Sequence, residues 1–405
     1  MKRIISSILV FSFFIASPVV FAQDVSSIVD GNNQFAFELY SKYKSRDGNI
    51  FFSPYSISSA LAMTYEGARG ETADQMQAVF HFPENASTRR DSFLKLYQQI
   101  NKKDKKYKLS TANALWAQKD YKFLEDYFNL IEEYYGGKAT NLDFAKDTER
   151  SRVTINSWVE DQTNNKIKNL VPSGILTSYT RLVLTNAVYF KGFWLKQFGK
   201  KDTKDENFRI APGNTIKAPM MHLNGEELEF NYAQTDKLQI LELPYEGKEL
   251  SMLILLPKED DLGSIEGVLS RDKLTEWKGL LRREKVEVYL PRFKFETKYF
   301  MANDLENMGM PDAFTPGIDY GGKADFSGMT GNKKLNIDEI IHQAFVDVNE
   351  EGTEAAAATA VMMADGIEMP ETIKIFKADH PFVFIIQDRS TGNILFVGRV
   401  SDPTK

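Results

Sequence analysis

Four histidines (His81, His222, His342 and His380) and no cysteine set the limits on the chemistry this chain can perform. No two histidines stand at the helical spacing of a metal pair, and His-Glu-x-x-His is absent. Without cysteine there is no thiolate nucleophile, no thiolate metal site and no anchor through an N-terminal cysteine. No Gly-x-Ser-x-Gly elbow presents a serine. Gly317 and Gly322-Lys323 approach the spacing of a phosphate loop. Ala324 stands where that loop needs Ser or Thr, and Thr315-Pro316 is no strand leading in, so the segment reads as a flexible turn. His342, just ahead of an apolar strand, reads as a hydrogen-bonded core histidine, as does His222 behind Met220-Met221. Trp194 reads as core. The expectation is a protein that is not an enzyme, with no catalytic residue, no metal and no cofactor.

The remaining composition narrows the class. Met1-Lys2-Arg3, an apolar run from Ile4 to Ala16 and small residues up to Ala22 read as a secretory signal peptide over 1–22, cleaved after Ala22. The run is too short to span a bilayer comfortably. A formal charge of −6 is mild and argues against a nucleic-acid footprint. Residues 23–405 are long enough to build a large core without disulfides. The run Lys102, Lys103, Lys105, Lys106 reads as a solvated loop. Asn85-Ala86-Ser87 is a glycosylation sequon if the host glycosylates.

Helical spacing predicts helices over 30–47, 56–66, 71–80, 87–101, 123–135 and 147–163. Strands are predicted at 49–52, 109–116 and 181–190, then at 215–218, 228–232, 238–243, 251–256, 286–290 and 293–296. Helices and strands mix without βαβ alternation, so the class is α+β, and no repeat or long linker divides a length that suits one large domain or two ordinary ones.

One segment fits no such element cleanly. Glu350-Glu351-Gly352-Thr353-Glu354-Ala355-Ala356-Ala357-Ala358-Thr359-Ala360 follows the strand-like Ala344–Val348 and runs into Val361-Met362-Met363-Ala364-Asp365-Gly366. Alanine favours a short surface helix. Gly352 acts against this as a joint, and Thr359, Val361 and the methionines lean toward strand. Alternation would put Thr353, Ala355, Ala357, Thr359, Val361 and Met363 on one uncharged face, able to enter a sheet, and Glu354 on the other. Entry would gain a ladder of backbone hydrogen bonds that the free loop lacks.

With these residues in view, the sequence resembles the serpins. Glu350–Ala357 is similar to the hinge of inhibitory members, and Asn49–Ile57 to the family's first strand-to-helix corner. Gly67–Thr72, Asn156–Val159, Leu184–Gly192, Ala324–Gly328, Ala378–Phe382 and Gly392–Arg399 match in order. The resemblance implies one α+β domain of three β-sheets, A, B and C, with about nine helices. It also implies an exposed reactive-centre loop over about 350–377. It implies a metastable fold whose loop baits a protease, is acylated, and inserts as a new strand with the enzyme attached. By motif, Ser53, Ser56, Asn186 and His342 would lie where the central sheet parts. Trp194, Arg292 and Glu350 would lie where insertion begins, with a restraining ion pair between Arg292 and Glu350. The hinge would be Glu350, Glu351, Gly352, Thr353, Glu354, Ala355, Ala356, Ala357 and Ala358. Family spacing puts the scissile bond at Gly366-Ile367, with Met363, Ala364 or Asp365 as alternatives.

The expected function is suicide inhibition of serine endopeptidases, with papain-like cysteine proteases as a further target class. The alternative is a non-inhibitory carrier, storage protein or chaperone, whose hinge would carry large or charged residues. The expected partner is a target serine protease in covalent complex. The mature chain is expected to be a monomer, secreted or periplasmic, with neither nucleic acid nor membrane as partner.

Overall fold

The computed structural model describes residues 18–102, 105–225, 228–353 and 373–405. Residues 1–17 of the expected signal peptide over 1–22, the expected hinge from Glu354 to Ala358 and the scissile candidates Met363, Ala364, Asp365, Gly366 and Ile367 lie outside them. The chain runs α1 (Pro18–Tyr43), β1 (Ile50–Phe52), α2 (Pro54–Gly67), α3 (Gly70–Phe80), α4 (Ala86–Ile100), β2 (Tyr107–Gln118), α5 (Glu125–Tyr135), β3 (Lys138–Leu142), α6 (Thr148–Gln162) and β4 (Leu182–Phe193). It continues through β5 (Lys204–Ala211), β6 (Asn214–Leu223), β7 (Glu229–Gln234), β8 (Leu238–Pro244), β9 (Leu250–Pro257), α7 (Leu262–Glu266), α8 (Arg271–Leu280), β10 (Arg282–Pro291) and β11 (Phe293–Phe300). It closes with α9 (Ala302–Met308), α10 (Ser327–Thr330), β12 (Glu339–Asn349), β13 (Gly352–Thr353), β14 (Lys374–Lys377), β15 (Phe382–Asp388) and β16 (Ile394–Val400). The fold is α+β. Helix α1 runs across the boundary between Ala22 and Gln23.

Sheet A has six strands, ordered β11-β12-β13-β4-β2-β3. Sheet B is β1-β16-β15-β9-β8-β7 and ends on the first half of β10. The second half of β10 leaves it to pair with β6 and β14, which with β5 make sheet C. One continuous strand thus serves two sheets, since Arg282–Lys285 face β7 and Val286–Tyr289 face β14.

Strands β9, β15 and β16 are buried at every position, as expected of strands covered on both faces. Aromatic contacts join sheets A and B: Phe190 of β4 meets Phe396 of β16 with ring centres 5.8 Å apart. Helix α2 is wedged beside them, every residue but Tyr65 buried. Its start is fixed locally, with Pro54 in the first turn and the Ser53 hydroxyl accepting from the Ser56 N–H at 3.2 Å. A second, smaller core lies between α6 and the other face of sheet A, where Ile155 and Val159 pack with Trp116, Ala187 and Ile341. Each such aliphatic side chain contributes about 1.5–3 kcal/mol by burial. Sheet A is therefore held on both faces, and a further strand could join it only at an edge, β11 or β3, or at a seam between existing members.

Candidate functional site: a closed seam and its hinge

Strands β4 and β12 form that seam. They are neighbours and parallel, paired from Glu339 with Val183 to Phe345 with Tyr189. Above this stretch they diverge, and β13 lies between them. Gly352 pairs with Asn349 and Phe193, and Thr353 with Val348 and Gly192, antiparallel to β4. The hinge thus begins as a two-residue strand already seated in sheet A. Gly352 is required there. Its φ is +154°, and a Cβ would stand 2.0 Å from the Gly192 carbonyl oxygen and 2.6 Å from the Phe193 Cα. Thr353 is fully buried, its hydroxyl 2.9 Å from that of Tyr245.

Halfway down the seam sits a polar cluster built from four elements. The Ser53 N–H donates to His342 Nε2 at 3.2 Å, and Ser53 Oγ donates to the Leu395 carbonyl at 2.6 Å. Asn186 Nδ2 reaches Ser56 Oγ at 2.7 Å and Asn113 Oδ1 at 2.5 Å. Because Nε2 accepts from Ser53, the imidazole hydrogen lies on Nδ1 and is donated to Asn186 Oδ1. Burial pushes the His342 pKa down to about 3, so the ring stays neutral. His342 is on β12, Asn186 on β4, Asn113 on β2 and the serines at the head of α2, so the cluster joins both sides of the seam to the helix beneath.

At the hinge the chemistry is charged. Glu350 accepts from Arg292 and, at 2.7 Å, from the Thr203 hydroxyl. Burial pushes the Glu350 carboxyl up, but those bonds more than offset it and leave its pKa below the usual range. Lys200 pairs with Glu351 at 2.5 Å. The backbone of the segment after β4 clasps the same residues: Trp194 N–H donates to the Glu351 carbonyl and Phe198 N–H to that of Glu350, each at 2.8 Å. The Trp194 indole N–H donates to the Asn349 carbonyl at 3.0 Å while its ring stacks on Tyr245 at 4.6 Å. Gln343 Oε1 on β12 and Glu351 Oε2 are buried without a hydrogen-bond partner among the described residues. Each such group costs about 1–3 kcal/mol.

The structure therefore brings Ser53, Ser56, Asn186 and His342 into one cluster, and Trp194, Arg292 and Glu350 into a second about the hinge. Sequence reasoning missed Asn113, Tyr245, Lys200 and Thr203. Only Asn113 carried a local signal, as an amide inside the apolar run Ala112–Ala117. Two other expectations meet the structure differently. Lys105 is not solvated: its side chain is only 10% exposed and its ammonium pairs with Glu249. The turn at Gly317–Ala324 satisfies its own backbone, with Gly322 N–H donating to the Gly317 carbonyl, and a Cβ at Gly322 would meet the Pro316 oxygen at 1.8 Å.

The central strands of sheet A are thus joined by a neutral hydrogen-bonded cluster, with Gly352-Thr353 seated between them at one end. Residues 30–403 match the family model for serpins (serine protease inhibitors). An uncharacterized serpin-like protein of Thermococcus kodakarensis is 46% identical over 378 residues, covering 93% of this chain and 86% of that one. Leukocyte elastase inhibitor A of Rattus norvegicus is 42% identical, covering 94% of this chain and all of its own. Among solved structures, human thyroxine-binding globulin complexed with thyroxine superposes with a TM-score of 0.85 at 31% identity, over 94% of this chain and 100% of that one. The chain belongs to the serpin family. The names of its relatives span an elastase inhibitor and a thyroxine-binding globulin, so membership alone does not fix the activity.

Proposed function

We propose that this serpin is a suicide-substrate inhibitor of serine endopeptidases. The observation that supports this most is the hinge itself, with Gly352 and Thr353 paired between β4 and β12 and small residues queued behind them. The protease hydroxyl attacks the carbonyl before the scissile bond, the amine of the following residue leaves, and the ester remains on the cleaved loop. The freed hinge then extends down the seam. Each further residue steps one position along β4, so with Thr353 opposite Gly192, Met363 falls opposite Leu182, the first residue of the strand. A cut just past that point, at Gly366-Ile367, would let the whole row enter before the ester is reached. Insertion must outrun deacylation, which small uncharged side chains favour because they meet little resistance in a packed sheet.

In this reading the polar cluster at His342 keeps the seam closed and re-forms behind the incoming strand, and the Arg292–Glu350 pair restrains early entry. The mature protein acts outside the cytoplasm, as a monomer, after loss of residues 1–22. Papain-like cysteine proteases form a further target class because they too acylate through a carbonyl. The carrier reading predicts cleavage without capture. Incubation with elastase-, subtilisin-, chymotrypsin- and trypsin-like enzymes, followed by a denaturing gel, separates the two. Inhibition gives a covalent band of summed mass; a carrier gives only clipped product.

A further inference from the structure

Leu182 opens β4 and stands where the register of the proposed entering strand runs out. Both of its backbone groups are already engaged at the foot of the seam, and by one residue. Asp338, just ahead of β12, donates its N–H to the Leu182 carbonyl at 2.9 Å. Its side-chain Oδ2 accepts the Leu182 N–H at 2.9 Å and the Arg181 N–H at 2.5 Å. Asp338 thus presents one donor and one acceptor to Leu182, as a residue of a neighbouring antiparallel strand does, except that the acceptor is a carboxylate.

The groups that an entering strand meets follow from the bonds at the top of the seam. The Trp194 N–H points to Glu351, on the seam side of β4. Backbone groups on one side of a strand recur at every second residue. Leu182 lies an even number of residues below Trp194 and so faces the seam as well, whereas the Arg181 carbonyl faces β2 and accepts the Gln118 N–H. Counting down from Thr353 opposite Gly192, Leu182 meets Met363 in a pair that exchanges two bonds. The Leu182 N–H goes to the Met363 carbonyl, and the Met363 N–H to the Leu182 carbonyl. Asp338 holds the same two groups in the same sense.

The next carboxylate along the chain is the contrast. Glu339 Oε1 accepts from the Ala302 N–H at 3.1 Å and from the Ile340 N–H at 2.9 Å, both on its own side of the seam. Parting β4 from β12 breaks the bonds of Asp338 and leaves those of Glu339. Higher on β4 the entering backbone replaces one backbone bond by another; at Leu182 it replaces a carboxylate. Lost hydration holds the Asp338 carboxyl above its ordinary range in spite of its bonds to Leu182 and Arg181, so release returns the ion to water.

We propose that Asp338 is a positioning residue for insertion: it stands in for Met363 while the seam is closed, keeps the last place on β4 in register, and yields that place in the final step of entry. The proposal rests on the inhibitor reading.

The test is hydrogen exchange at the Leu182 amide in the full chain, intact and nicked once in its loop. In the unmodified protein the amide is expected to be protected in both forms, by Asp338 in the first and by Met363 in the second. Asp338→Ala is expected to lower its protection at least about tenfold in the intact form and less than about twofold in the nicked one. Asp338→Leu, close in size and without an acceptor, serves if the alanine variant does not fold. Asp338→Asn keeps a side-chain acceptor and should hold the loss in the intact form to about threefold. Glu339→Ala is the control for a merely structural role: any loss of protection at Ile340 should be equal in the two forms. Undiminished Leu182 protection in the intact Asp338→Ala chain overturns the proposal. An equal loss in both forms, where nicking stabilises the chain and protease is captured, also overturns it and leaves the inhibitor reading standing. If nicking stabilises nothing and no protease is captured, that reading falls and the proposal falls with it.

Discussion

The middle of the seam and its upper end are built from opposite materials. At the middle, Ser53, Ser56, Asn113, Asn186 and His342 are neutral, buried and mutually hydrogen-bonded. At the end, Glu350 and Glu351 are carboxylates held by Arg292, Thr203 and Lys200, with the cations reaching solvent. A neutral cluster can open and close many times without stranding a buried charge, which would be costly. A charged clasp at the rim can be released into water at little cost and resists entry only while its partners are in place. On the inhibitor reading proposed above, the inner region would set stability and the outer one would set when the strand starts.

The sharpest way to break this comparison is Thr353→Arg. It puts a cation where the Tyr245 hydroxyl and two backbones leave no room. Covalent capture should fall below about a tenth of wild type while loop cleavage continues; capture at normal yield would exclude insertion. Asn186→Ala removes the partner of Ser56, Asn113 and His342 together. A loss of about 2–4 kcal/mol in denaturant unfolding is expected from groups left buried and unpaired. A change under about 0.5 kcal/mol would mean the cluster does not hold the seam.

Acid provides a milder test of the same region. His342 is neutral in the fold, with its pKa lowered from 6.5 to about 3 by burial, whereas the unfolded chain takes up a proton near the ordinary value. Its contribution is therefore complete above pH 6.5 and is lost progressively as pH falls toward 3. A His342→Gln variant should show a shallower decline over that window, checked by unfolding midpoints at successive pH values. Arg292→Ala should have the smallest effect on stability, within about 1 kcal/mol, because the guanidinium is half exposed and Thr203 still serves Glu350. Its signature should be faster spontaneous loss of inhibitory capacity on storage.

Neither cluster was legible from the residues alone: the family resemblance named Ser53, Ser56, Asn186 and His342 for the inner one and Trp194, Arg292 and Glu350 for the outer one. The small residues after Gly352 are a local pattern in their own right. Most helices were legible for the same reason, since α2, α3 and α4 each carry an apolar stripe with a clear start or stop. Strands β3 and β5 were missed. Both are edge strands with a single buried residue each, Ala139 and Phe208, so neither shows a buried alternation. Tyr245, Lys200 and Thr203 reach the hinge only through the turn after β8 and the segment after β4, and no pattern within those stretches names their partner. That β10 serves two sheets was also invisible, because its hydrophobic pattern does not show which neighbour each half meets.

Thermal unfolding of the intact protein against the same protein nicked once in its loop tests the central claim most directly. If the clipped segment completes sheet A, its new hydrogen-bond ladder and buried row should raise the midpoint by more than about 10 °C. Equal midpoints for the two forms would contradict the account, because a hinge that gains nothing by entering the seam cannot drive the capture of a protease.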